Sequence, residues 1–183
     1  MLEGMTTTDG PEPRRILLVG MMGAGKTTIA REIATRTGWP AVDNDDLVRS
    51  MTGREPAAIA IDDGEDALHD AEADALTEAL DRIPPLVVGV AGAMVDRPDR
   101  RAMLRRGGHV VWLRARPATL HERIGAGSNR RPDAADLAWL SARALEREPL
   151  YLEVANQVID VDGLSPNEIA TMILDPLAGA SDR

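Results

Sequence analysis

Short apolar runs alternate with longer amphipathic stretches along most of this chain. Residues 15–20 (RILLVG), 40–42, 86–91 (LVVGVA), 109–113 (HVVWL) and 158–161 (VIDV) are the apolar runs. The longer ones are apolar at consecutive positions rather than alternate ones, which predicts strands buried on both faces. Helical periodicity fills the intervals. Ile29 and Ile33 stand four apart in Lys26–Thr37, with Gly38 as the stop. Between 64 and 82 an apolar stripe runs through Leu68, Ala71, Ala75, Leu76, Ala79, Leu80 and Ile83. Further helices are predicted over 98–106, 117–124, 134–150 and 166–174. Strands alternating with helices imply βαβ units, hence an α/β fold with a parallel sheet and helices on both faces.

The polar segments complete the outline. Residues 1–13 are polar and acidic, without the basic start and apolar stretch of a secretory leader, and are expected to be a disordered tail, with Met5 a possible natural start. Residues 125–132 (GAGSNRRP) form a basic loop with two glycines. Residues 176–183 are expected to be a frayed tail. The outline is thus one domain over 14–175, and 183 residues suffice for one buried core.

Composition narrows the function. With no cysteine, disulfides, thiolate catalysis and cysteine-based zinc sites are excluded, and His69, His109 and His121 lack metal-ligand spacing. A net charge of −9 argues against a nucleic-acid partner. The apolar runs are too short to span a bilayer, so no membrane partner is expected. With no Phe, the core must be built from aliphatic residues, Met and Ala.

One segment carries specific chemistry. Gly20-Met21-Met22-Gly23-Ala24-Gly25-Lys26-Thr27 fits G-x-x-x-x-G-K-[ST] between a predicted strand and a predicted helix. Small residues let the backbone curl its N–H groups around phosphate oxygens, and the helix adds free N–H groups and a positive dipole end. Lys26 can reach the terminal phosphates, and Thr27 can ligate magnesium. The chain is therefore expected to bind Mg-ATP through Gly20, Gly23, Ala24, Gly25, Lys26, Thr27 and Thr28. Arg123, ahead of the basic loop, can stack on the purine.

From this loop onward the chain resembles the shikimate kinase family over residues 14–175. Asp43-Asn44-Asp45 sits at that family's D-x-D, Met51-Thr52-Gly53 at its R-T-G and Gly64-Glu65 at its G-E. Arg131-Pro132 matches the start of its R-P-L-L lid. Arg147-Glu148-Pro149-Leu150-Tyr151, with Ala155, matches R-x-P-L-Y-x-x-x-A. Val161-Asp162 and Leu164-Ser165-Pro166 also fit. The resemblance implies a three-layer P-loop kinase fold: a five-stranded parallel sheet, a substrate-binding subdomain over about 43–82 and a mobile lid over about 125–135. It implies transfer of the ATP γ-phosphate to a hydroxyl of a small molecule, in the cytoplasm, by a monomer. Asp43 would join Thr27 at the magnesium, Asp45 would orient or deprotonate the hydroxyl, and Lys26 and Arg131 would neutralise phosphate oxygens. Asp45, His69, Ala91, Gly92, Ala93 and Arg147 would line the acceptor site.

Plainer readings stand beside these. Asp43 to Asp46 can be a solvated turn capping a helix. Arg131 can be a solvated loop charge, and Arg147 a surface ion pair with Glu146 or Glu148. The departures from the family gather at the acceptor. Leu68-His69 replaces F-R, whose arginine grips the substrate carboxylate; Ala91-Gly92-Ala93 replaces G-G-G; Asp133-Ala134 replaces the lid's L-L. Histidine is shorter than arginine and mostly uncharged near neutral pH. Glu65 and Glu72 share its helical face and can charge it, or it can be a surface residue. Three functions follow: a shikimate kinase, a relative acting on another cyclitol, polyol or hydroxy acid, or a nucleotide-binding regulator with weak turnover.

Overall fold

The computed structural model describes residues 15–125 and 136–179. The leading residues, the basic loop with Arg130, Arg131 and Pro132, and residues 180–183 lie outside them, as does most of the expected lid.

Five parallel strands form one sheet in the order β2-β3-β1-β4-β5. They are β1 (Arg15–Val19), β2 (Ala41–Asp43), β3 (Leu86–Gly89), β4 (His109–Arg114) and β5 (Gln157–Asp160). Each lies within two residues of its apolar run. Ile16, Leu17 and Leu18 of β1, and Val110 and Val111 of β4, are wholly buried, as two-sided burial requires. β1 pairs with β3 on one side and β4 on the other. The chain order reverses there, and in such sheets ligands bind beyond the carboxyl ends of the strands at that point.

The helices are α1 (Lys26–Thr37), α2 (Asn44–Thr52), α3 (Pro56–Asp62), α4 (Glu65–Asp81), α5 (Pro98–Gly107), α6 (Pro117–Gly125), α7 (Leu137–Val154) and α8 (Pro166–Gly179). α1 has the predicted bounds because glycines in the left-handed region close both ends, Gly25 at φ 98° and Gly38 at φ 73°. α1 packs on α8, α5 on α7, and α4 on α2 and α3, so helices cover both faces of the sheet.

Four details depart from the sequence outline. α2 and α3 are absent from it. They fill the stretch between β2 and α4, and the acidic cluster opens α2 with Asp43 as its cap. Ile83, placed on the α4 stripe, is 90% exposed, because α4 ends at Asp81 and Arg82 turns to extended backbone. α7 runs on from the predicted end at 150 to Val154. α8 continues through Pro176 to Gly179, where a frayed tail was expected.

Candidate active site

The phosphate loop leaves β1 and enters α1 through three glycines at positive φ: Gly20 (146°), Gly23 (82°) and Gly25 (98°). Two are also required by close approach. A Cβ on Gly20 would lie 2.6 Å from the Leu113 carbonyl oxygen of β4. One on Gly23 would lie 3.1 Å from Ile124 Cγ1 and 3.2 Å from the Leu120 carbonyl oxygen of α6. The loop is thus pressed onto β4 and α6. Ala24 is buried, and its N–H donates to the Met21 carbonyl at 3.2 Å, so it shapes the loop from beneath.

Lys26 Nζ donates to the Gly20 and Met21 carbonyl oxygens at 2.9 and 3.1 Å, holding the ammonium over the loop. Thr27 Oγ1 donates to Asp43 Oδ2 at 2.5 Å. The other Asp43 oxygen accepts from the Asp45 N–H at 3.0 Å and caps α2. Asp43 is therefore a helix cap, as the plainer reading expected, and with its other oxygen the partner of the P-loop hydroxyl. A hydroxyl and a carboxylate at this spacing are hard oxygen donors of the kind magnesium takes alongside phosphates and water.

A cleft of about 1020 Å³ opens beyond the carboxyl ends of β1, β2 and β3. Gly23, Gly25, Lys26, Thr27, Thr28, Asp43, Asp45, His69, Ala91, Gly92, Ala93, Arg123 and Arg147 all line it. The fold thus gathers residues more than a hundred positions apart in the chain. Of the other proposed site residues, Gly20 and Ala24 shape the loop, and Arg131 lies outside the described residues. Arg123 Nη1 reaches the Gly23 carbonyl at 3.4 Å, so it sits against the phosphate loop.

Glu65, His69 and Glu72 line the cleft from one face of α4, as their spacing predicts. His69 Nε2 is 3.8 Å from Glu65 Oε2. Its pKa is nevertheless pushed below the ordinary histidine value. Burial is the largest cause, and the charges of Arg100 and Arg147 add to it against the opposing effects of Glu65 and Asp96. The imidazole is thereby biased toward its neutral form.

Arg147 departs from the surface pair that its neighbours suggested. It is 9% exposed, while Glu146 pairs with Arg143 and Glu148 faces Arg114. Its partner is Asp96, 51 residues away, in a fork-to-fork pair: Nε to Oδ1 at 2.9 Å and Nη2 to Oδ2 at 2.7 Å. Burial would lower its pKa, but the Asp96 bond and the Tyr151, Asp96 and Glu72 charges together raise it.

Tyr151 backs the wall from beneath. It stacks on Trp112 with centroids 5.3 Å apart, and its hydroxyl donates to the Gly92 carbonyl at 3.1 Å. Burial pushes the phenol up to about 12. Gly92 has a reason to be glycine: a Cβ there would lie 3.3 Å from the Gly20 carbonyl oxygen and 3.4 Å from Arg147 Nη1. Ala91 and Ala93 are accommodated on either side of it, with Ala93 buried.

Sequence reasoning missed Asp96 and Tyr151 as parts of this site and left Glu72, 8% exposed in the cleft wall, without a role. Tyr151 carried a signal, since it falls in the R-x-P-L-Y stretch. Asp96 carried none, because its partner is set only by the fold. Among the described residues no cluster of three or more His, Cys, Asp or Glu has metal-binding geometry. No helix there is long and apolar enough to cross a membrane.

With this geometry in view, known proteins can be set beside the chain. The family model for shikimate kinase matches residues 22–178. The shikimate kinase of Symbiobacterium thermophilum is 37% identical over 172 residues, covering 92% of this chain and 98% of that one. That of Burkholderia thailandensis is 36% identical, covering 87% of each. A solved shikimate kinase from Acinetobacter baumannii, in complex with shikimate, superposes with TM-score 0.85 at 28% identity, covering 93% and 96%. A gluconokinase from Sinorhizobium meliloti, at TM-score 0.60 and 21% identity, shares the fold.

Proposed function

Since the chain belongs to the shikimate kinase family, and is thus an ATP-dependent kinase that phosphorylates a hydroxyl of a small molecule, we propose that its acceptor is shikimate, converted to shikimate 3-phosphate. The observation that carries this reading is the run of contacts from Thr27 to Asp43 to Asp45. It joins the phosphate loop to the acceptor end of the cleft, where a hydroxyl must meet a γ-phosphate in line.

Phosphoryl transfer needs charge neutralisation and alignment more than covalent assistance. The N–H groups of the glycine loop and the first turn of α1 bind the phosphates. Lys26 exchanges its carbonyl partners for phosphate oxygens when nucleotide enters. Thr27 and Asp43 would hold a magnesium ion, which would supply positive charge beside the phosphates. Asp45 orients the acceptor hydroxyl and takes its proton. Arg123 lies against the nucleotide, and Arg131 neutralises the transferred group. Ala91, Gly92, Ala93 and His69 shape the acceptor pocket, and Arg147 sits at its wall. One chain supplies every described element of the cleft, so a monomer suffices, working in the cytoplasm where ATP is made and used.

A second reading has an observation of its own. Burial disfavours the charged form of His69, and Arg147 is paired with Asp96, so the pocket offers an acceptor carboxylate less charge than the family's arginine implies. This favours an uncharged cyclitol or polyol. The test is a coupled assay of ADP release with Mg-ATP against shikimate, other hydroxy acids, cyclitols and sugars. Shikimate is expected to give the highest kcat/KM. Stimulation by an uncharged polyol with none by shikimate would overturn the first reading in favour of the second.

A further inference from the structure

Among the described residues, the cations lining the cleft are Lys26, Arg49, Arg123, Arg143 and Arg147, and each is engaged within the protein. Lys26 and Arg123 rest on carbonyls of the phosphate loop. Arg49 holds Asp46 at 2.6 Å and Glu55 at 2.7 Å. Arg143 holds Glu146 at 3.1 Å and lies over the Trp139 ring. Arg147 differs from the other arginines of the cleft in being buried, with a side-chain exposure of 10% against 31% for its partner Asp96. A planar guanidinium inside a protein wall, aligned with both oxygens of a carboxylate, is the arrangement that recognises a carboxylate ligand. Here the carboxylate comes from the chain itself, at the end of the turn that begins with Gly92.

We propose that Asp96 is a specificity-determining residue: its carboxylate stands on Arg147 in place of an acceptor's own, and an anionic acceptor must displace it to bind. The inference rests on the reading that the acceptor is shikimate or a closely related hydroxylated ring. Two features make displacement feasible. Asp96 is the more exposed partner, on the segment between the Gly92 turn and α5, so it can swing toward solvent. Arg147 stays fixed, with Nη1 3.8 Å from Met21 Sδ and the stacked Tyr151 one turn further along α7. Because one carboxylate is exchanged for another, the net gain to a carboxylate acceptor is small. An uncharged acceptor can bind with the internal pair intact. The pocket therefore distinguishes only weakly between an acid and its uncharged counterpart, and His69, biased toward its neutral form, adds little anion anchoring of its own.

The experiment compares the intact protein with Asp96→Asn on two acceptors, shikimate and its primary amide, in which an uncharged carboxamide replaces the carboxylate. Asparagine has the size of aspartate and keeps one acceptor for Arg147, so the fold is expected to survive, with a lower Tm. The wild type should use acid and amide with kcat/KM values within about tenfold of each other. In Asp96→Asn the KM for shikimate should fall by about tenfold, that for the amide should move little, and the change should lie in KM rather than kcat. Shikimate should raise the Tm of the variant by more than it raises that of the wild type. Turnover of the amide by the wild type, with the acid used only by the variant, would support the inference and change the acceptor. Wild-type turnover of shikimate with an unaltered acid-to-amide ratio in the variant would overturn the inference alone. Failure of both proteins to bind or phosphorylate shikimate, with ATP binding intact, would overturn the acceptor reading and the inference with it.

Discussion

At the scale of single residues, the proposed mechanism separates groups that bind nucleotide from groups that act on the acceptor. Lys26 Nζ rests on carbonyls of the phosphate loop, so Lys26→Ala should abolish most of the rise in Tm that millimolar Mg-ATP gives the wild type. Asp45 lies past the Thr27–Asp43 contact, and Asp45→Asn should lower kcat by two orders of magnitude or more while leaving the ATP-induced Tm shift in place, a loss of roughly 2.7 kcal/mol of transition-state stabilisation. His69 makes a prediction in pH. Its folded pKa is depressed by burial, so the unfolded chain binds the proton first as pH falls. The stability due to neutral His69 is therefore fully present above about pH 6.5 and is lost as pH falls through the lower, folded pKa. In urea titrations His69→Gln should flatten this acid limb. The effect involves Glu65, Asp96, Arg100 and Arg147, all of which act on the ring. An unaltered limb in the variant would assign the acid sensitivity to other groups.

At the scale of elements, the legible parts were those with local causes. The phosphate loop and α1 were readable because three glycines and a lysine at fixed spacing admit few backbones, and Gly38 ends the helix by the same left-handed geometry. β1 and β4 were readable from unbroken apolar runs. α2 and α3 were not, because nine and seven residues carry too little periodicity, and Asp43 to Asp46 reads equally well as a turn. The cleft's outline followed from motif order, but the Asp96–Arg147 pair depends on where α7 crosses the Gly92 turn, which no local pattern encodes. Asp43 joins two of these elements and allows its roles to be separated. Asparagine caps helices as well as aspartate, so Asp43→Asn should change unfolding free energy by less than about 0.5 kcal/mol while impairing magnesium-dependent turnover. Loss of stability on the scale of a missing cap, about 1 kcal/mol, would show that the second carboxylate oxygen on Thr27 is mainly structural. Gly20 tests the opposite case. Alanine there meets a backbone carbonyl at 2.6 Å on a backbone at φ 146°, and Gly20→Ala should destabilise the fold by roughly 2–4 kcal/mol in denaturant unfolding as well as weaken nucleotide binding.

At the scale of the whole molecule, the parallel sheet places the phosphate loop at the point where strand order reverses, and the helices from α2 to α4 raise one wall of the cleft opposite α7. That wall is acidic, with Asp45, Glu65 and Glu72 lining it, within a chain of net charge −9. An anionic acceptor enters against this field. Its kcat/KM should rise from low ionic strength to about 0.15 M, where the Debye length is about 8 Å, while an uncharged acceptor should show little salt dependence. A fall with salt for the anionic acceptor would mean that a local basic cluster dominates its approach. The proposed function makes one central claim: the γ-phosphate of ATP is transferred in this cleft to a hydroxyl of shikimate. Phosphorus NMR of purified protein with Mg-ATP and shikimate tests it most directly. The account predicts a new phosphomonoester resonance growing in step with ADP, absent without shikimate and absent with Lys26→Ala. Consumption of ATP that yields only inorganic phosphate, or no consumption at millimolar shikimate, would contradict it.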